Sequence, residues 1–145
     1  TVYLPWYQDE FLYNFFKKFK NLEFQIFSKN TKVLNQLDNC LFFPINESLF
    51  SKSICESYGV IANAGFQTTS EVIYLGKRLL AIPVEGQYEQ ACNAEALKNL
   101  GVVVMDKINA SSYAEIDSWL KTKPVKISFQ NNVDELLKNK INKII

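Results

Sequence analysis

Gly59-Val60-Ile61-Ala62-Asn63-Ala64-Gly65-Phe66-Gln67-Thr68-Thr69-Ser70-Glu71-Val72-Ile73-Tyr74-Leu75-Gly76 runs from an apolar stretch through a small-residue turn straight into a segment of helical period. The next residues repeat that order. Leu79–Ile82 is apolar and ends at Pro83, a polar loop follows, and Gln87–Leu100 is helical up to Gly101. Glycine just past the last periodic residue is the usual left-handed stop of a helix, which marks Gly76 and Gly101 as helix ends. Two strand–helix units in tandem predict parallel strands joined by crossovers.

The pattern extends in both directions. Upstream lie the β-rich runs Thr1–Leu4, Glu23–Phe27, Cys40–Phe43 and Tyr58–Ala62, and downstream Val102–Met105. Between the first two, Gln8–Lys20 places Phe11, Leu12, Phe15, Phe16 and Phe19 on one helical stripe. Thr31–Leu37 and Glu47–Ser57 read as shorter helices. Ser112-x-x-Glu115 reads as a capping box that opens a helix to Lys121. Beyond Pro124, residues 131–145 form a basic amphipathic pattern, with Lys138, Lys140 and Lys143 beside Val133, Leu136, Leu137, Ile141 and Ile144.

Most of the strands are continuous apolar runs, which suits a sheet covered on both faces. The fold class expected is α/β: a Rossmann-like doubly wound parallel sheet of about six strands with helices on both faces, in one domain spanning 1–145. Ligands of such sheets bind at the carboxyl ends of the strands. The loops after Leu4, Ala62 and Ile82 are therefore the places to look.

Composition narrows the chemistry. With 16 Lys+Arg against 15 Asp+Glu the net charge is +1, too little to steer the chain onto nucleic acid. There is no histidine, which excludes Ser-His-Asp and Cys-His nucleophile systems and histidine metal sites within these residues. Cys40, Cys55 and Cys92 are widely spaced without a CxxC pair, as expected of free thiols in a reducing cytoplasm. No apolar run reaches the ~20 residues of a membrane span.

Ala64-Gly65-Phe66 leads a strand into a helix N-terminus, where free N–H groups and the positive end of the helix dipole suit an anion. Thr68, Thr69 and Ser70 add hydroxyl donors. Neither GxGxxG nor GxxxxGK[ST] is present. Glu71 has two readings: the last residue of a Thr68-x-x-Glu71 capping box, or an acid that accepts from ribose hydroxyls. Gln87, Glu89, Gln90 and Asn93 gather the donors and acceptors needed to read sugar hydroxyls, or else form a solvated first turn.

Taken together, Gly59 to Gly101 resembles the donor-binding half of a GT-B glycosyltransferase. It is most similar to the group related to the peptidoglycan N-acetylglucosaminyl transferase. The shared pattern is a small-residue Gly turn, [ST]-E, a helix ending in Gly, a strand ending I-P, and Q-x-x-N-A-x-x-L. The resemblance implies a nucleoside-diphosphate sugar, UDP-linked, as substrate, with no separate cofactor and no metal. It makes Ala64, Gly65 and Phe66 with Thr68 and Thr69 the diphosphate cradle, and Glu71 the ribose ligand. Glu89 and Gln90 become readers of the donor sugar, and Asn93 supports the loop. That group has two glutamines at the first two of these last positions, so Glu89 leaves the sugar open. The base would be met by the loop around Phe43–Asn46.

In such enzymes the acceptor site and catalytic base belong to an N-terminal domain, which these residues do not include. The start at Thr1, inside an apolar run, gives the expectation that this domain precedes it in the same chain. Donor transfer would need both halves, and the catalytic residues stay unknown. The final helix would pack on the partner domain, on its own sheet, or peripherally against the inner face of a membrane. Two alternatives stand beside the transferase: half of a sugar-nucleotide 2-epimerase, and a non-catalytic ligand-binding module.

Overall fold

The computed structural model describes residues 1–127, so the amphipathic helix expected over 131–145 lies outside them. Twelve elements follow in order: β1 (Val2–Tyr3), α1 (Asp9–Phe16), β2 (Phe24–Ser28), β3 (Asn35–Leu37), β4 (Cys40–Pro44), α2 (Glu47–Glu56), β5 (Gly59–Ala62), α3 (Phe66–Tyr74), β6 (Arg78–Ala81), α4 (Tyr88–Asn99), β7 (Val103–Val104) and α5 (Tyr113–Leu120). They form one sheet ordered β3-β4-β2-β1-β5-β6-β7. Every pairing is parallel except β3 with β4.

From β1 the chain winds outward through β2 and β4, then returns to lay β5 on the other side of β1. That reversal is the switch point of a doubly wound sheet. Val2 pairs with Ile61 and Tyr3 with Ala62, so the carboxyl ends of β1 and β5 are level.

Alternate strand residues feed two cores. Val2, Ile26, Ile61 and Leu80 face the Phe15, Phe16 and Phe19 stripe together with Ile116 and Trp119. Val60, Ala62, Leu79 and Ala81 face Val72, Ile73, Ala94 and Leu97 on the opposite side. The alanines on this second face give α3 and α4 room to lie close to the strands. Gly76 and Gly101 stop α3 and α4 at φ +63° and +87°, a conformation that costs glycine least.

Four local expectations are corrected. Thr31–Leu37 is not a helix but a turn followed by the edge strand β3. Thr31 is held to Asp9 at the start of α1 (3.3 Å), and the Asp9 carboxylate also accepts from the buried Ser28 hydroxyl (2.6 Å). Asp38, at φ +52°, then turns the chain so that β3 runs back along β4. Asp is one of the few residues that tolerates this conformation.

Helix α1 also stops at Phe16 rather than Lys20. The Asn39 carboxamide lies against the carbonyls of Phe16, Phe19 and Leu22 (3.4, 2.9 and 2.8 Å) and holds that segment as turns. The Ser112 capping box does not form. Ser112 already has helical angles, and its hydroxyl accepts from the Asn109 N–H (3.1 Å). Nor does Thr68 cap α3, because the helix begins at Phe66 with Gly65 as N-cap.

Candidate functional site at the carboxyl edge

Next to the switch point, the carboxyl ends of β1, β2 and β4 open onto a cleft of about 300 Å³. Tyr3, Phe27 and Phe50 make one wall, with Phe27 and Phe50 edge to face at 5.0 Å and Tyr3 5.2 Å from Phe50. Phe43 stacks behind Phe27 at 5.2 Å. Ile45 and Asn46 come from the turn into α2, and Gln67, Thr68 and Glu71 from the first two turns of α3. A flat apolar wall facing polar groups on a helix suits a ligand with a planar ring and a charged or hydroxylated tail.

The two helices that border the cleft begin differently. Asn46 caps α2, its side-chain oxygen accepting from the Leu49 N–H at 3.0 Å. Gly65 offers α3 no side-chain cap. The N–H groups of Phe66, Gln67 and Thr68 therefore hold no protein acceptor among the described residues. Such a terminus carries a partial positive charge of about half a unit. Gly65 has ordinary angles (φ −70°, ψ 139°), so its value here is the absence of a side chain in front of that terminus.

The candidate residues divide among three places. Thr68 and Glu71 line the cleft, and Glu71 is exposed, receiving a long hydrogen bond from Gln67 Nε2 (3.4 Å). Because Thr68 is not the N-cap, Glu71 closes no capping box. Thr69 is buried on the far side of α3, and its hydroxyl donates to the carbonyls of Gly65 (2.8 Å) and Phe66 (3.1 Å). It therefore braces the turn from behind. Phe66 and Asn93 border an apolar groove between α3 and α4.

Asn93 Nδ2 donates to the Ala64 carbonyl (3.0 Å), tying α4 to the turn before α3. Gln90 is buried: its Oε1 accepts from the Val84 N–H (3.0 Å) and its Nε2 donates to Gln87 Oε1 (2.8 Å). Glu89 beside it is exposed on the first turn of α4. The structure thus joins the turn Ala64–Phe66 to α4, and Glu71 to the Ile45–Asn46 loop, without placing Glu89 or Gln90 in the cleft itself.

Residue-type reasoning passed over Tyr3, Phe27 and Gln67. The first two carry a visible signal, an aromatic residue at the carboxyl end of a strand next to the switch point. Gln67 carries none beyond its place before Thr68. Among the described residues no group of three or more Cys, Asp or Glu side chains could hold a metal ion, and no helix is long and apolar enough to cross a membrane.

A family model described as glycosyl transferase family 1 matches residues 1–124. No curated protein and no solved structure matches the chain.

Proposed function

The chain belongs to glycosyl transferase family 1, and from that premise we propose that it is the donor-binding half of a GT-B enzyme. The donor is a nucleoside-diphosphate sugar, UDP-linked. One observation carries the reading: the uncapped N-terminus of α3 and the Glu71 carboxylate share one side of a cleft whose other wall is aromatic.

Each group has a chemical task in this reading. The first-turn N–H groups of α3, reached past Ala64 and Gly65, with the Thr68 hydroxyl, hold the diphosphate. As the bond to the sugar breaks, negative charge grows on that diphosphate, and fixed dipoles already aimed at it stabilise the leaving group without reorganising. Glu71 accepts from the ribose diol. The base rests between Ile45–Asn46 and the Tyr3–Phe27–Phe50 wall. Phe66 shields the turn, Thr69 and Asn93 hold its backbone, and the first turn of α4, with Glu89 and Gln90, faces the donor sugar. The acceptor and the general base come from a second domain, so these residues bind donor and transfer nothing alone. Three free cysteines fit the cytoplasm as the site of action.

Calorimetric titration of the 145-residue chain with UDP, UDP-glucose and UDP-N-acetylglucosamine tests this. Saturable binding should weaken at least about tenfold in Glu71→Ala, the scale of a lost hydrogen bond to a charged group. Nucleotide binding that Glu71→Ala leaves unchanged would contradict the site, and a folded chain that binds no nucleotide would favour a non-catalytic module.

A further inference from the structure

Between β6 and α4 the chain makes a tight turn, Val84-Glu85-Gly86-Gln87, closed by the Gln87 N–H on the Val84 carbonyl (3.2 Å). Gly86 sits at φ +79°, the value a type II turn demands of its third residue and the reason glycine stands there. The Gln90 side chain spans this turn from outside. Its Oε1 takes the Val84 N–H at the start of the turn, and its Nε2 reaches the Gln87 side chain at the end. Only 8% of Gln90 is exposed. One helical turn further, Asn93 makes the comparable bond to the Ala64 carbonyl. Residues three apart share a helix face, so α4 presents two carboxamides toward the carboxyl edge, each fastened to backbone.

We infer that Gln90 is a positioning residue: it locks the β6–α4 turn and thereby sets the place of Glu89 and of that turn against the donor sugar, rather than reading the sugar itself. At 8% exposure the Gln90 carboxamide has little surface to offer a ligand, and its Oε1 and Nε2 each keep a partner within the protein. Removing the side chain would strip the part-buried Val84 N–H of its acceptor, which is costly. Glu89, on the exposed side of the same turn, has no such engagement among the described residues. The inference rests on the donor-site reading, and its test separates the two.

The variants are Gln90→Leu, Gln87→Met and the two combined, made in the whole chain. The readouts are hydrogen exchange at the Val84 amide and affinity for UDP, UDP-glucose and UDP-N-acetylglucosamine. A lock predicts Val84 exchange about tenfold faster in Gln90→Leu, the scale of one lost hydrogen bond with a buried partner. It also predicts weaker UDP-sugar binding in both single variants, UDP binding within about twofold of the parent, and a double variant no worse than Gln90→Leu, since coupled partners are not additive. Val84 exchange at the parent rate in Gln90→Leu would overturn the lock whether or not any nucleotide binds. UDP-sugar affinity unchanged or raised in Gln87→Met, where the Gln90 amide is released, would overturn it in favour of direct reading. Failure of the parent chain to bind UDP would remove the donor-site reading and leave the exchange result to judge the lock.

Discussion

Helices α2 and α3 border the same cleft, and each follows a strand by a short turn, yet their N-termini are finished differently. At α2 the chain supplies Asn46, whose carboxamide occupies the Leu49 N–H. At α3 it supplies Gly65, and no side chain among the described residues caps the first turn. A capped terminus is a stabilised end, since a good N-cap contributes about 1 kcal/mol. An uncapped terminus beside a cleft forgoes part of that stability and keeps its dipole available to an anion. In the proposed reading α2 serves architecture and α3 binds the donor diphosphate.

The strongest way to break this contrast is to cap α3. Gly65→Asp puts a carboxylate on the open N–H groups, and the site has room, since the nearest atoms to an added Cβ belong to the Asn63 side chain, at 3.4 Å or more. Thermal unfolding should show stability unchanged or raised by a few tenths of a kcal/mol. UDP affinity should fall at least about tenfold, because the new charge both occupies the dipole and repels the diphosphate. Retained UDP affinity would sink the assignment of α3.

The converse change is Asn46→Ala. It should cost about 1 kcal/mol in a denaturant melt, the usual value of a lost cap, with UDP affinity down by less than about threefold. The neighbouring threonines refine the picture within α3. Thr68→Val should lower UDP affinity about tenfold, the scale of one hydrogen bond to a charged group, and leave unfolding nearly unaltered. Thr69→Val should leave UDP affinity within about twofold, since its hydroxyl already serves the Gly65 and Phe66 carbonyls.

The cysteines give the smallest effect and report on the fold. Burial pushes the Cys40 thiol up to about 11, so it stays neutral at pH 8, whereas Cys55 and Cys92 lie exposed. A maleimide at pH 8 should modify Cys55 and Cys92 and reach Cys40 only on unfolding. Mass spectrometry of the labelled chain reads this directly.

What was legible in the sequence was whatever burial enforces over short distances. Val60–Ala62 and Leu79–Ala81 are apolar because both faces of those strands are covered, and Gly76 and Gly101 mark their helix ends because φ there is positive. The small-residue turn before α3 was visible from its composition, Ala64-Gly65 between an apolar run and a helical stretch. β3 was not: Asn35, Gln36 and Leu37 are all exposed, and only pairing with β4 makes them a strand. The end of α1 depends on Asn39, a residue distant in sequence that takes three carbonyls. Gln90 looks like any helix glutamine until its partners at Val84 and Gln87 are known. The aromatic wall draws on three separate segments, β1, β2 and α2, so the strand-end signal of Tyr3 and Phe27 becomes a wall only once the fold brings Phe50 beside them.

The most direct test follows the backbone amides of the 145-residue chain during titration with UDP. Saturable shifts should centre on Gly65, Phe66, Gln67 and Thr68, with a second group at Ile45 and Asn46. Shifts centred instead on the cavity at the other end of the sheet, around Tyr58 and Trp119, or no shifts from a folded chain, would contradict the donor-site reading.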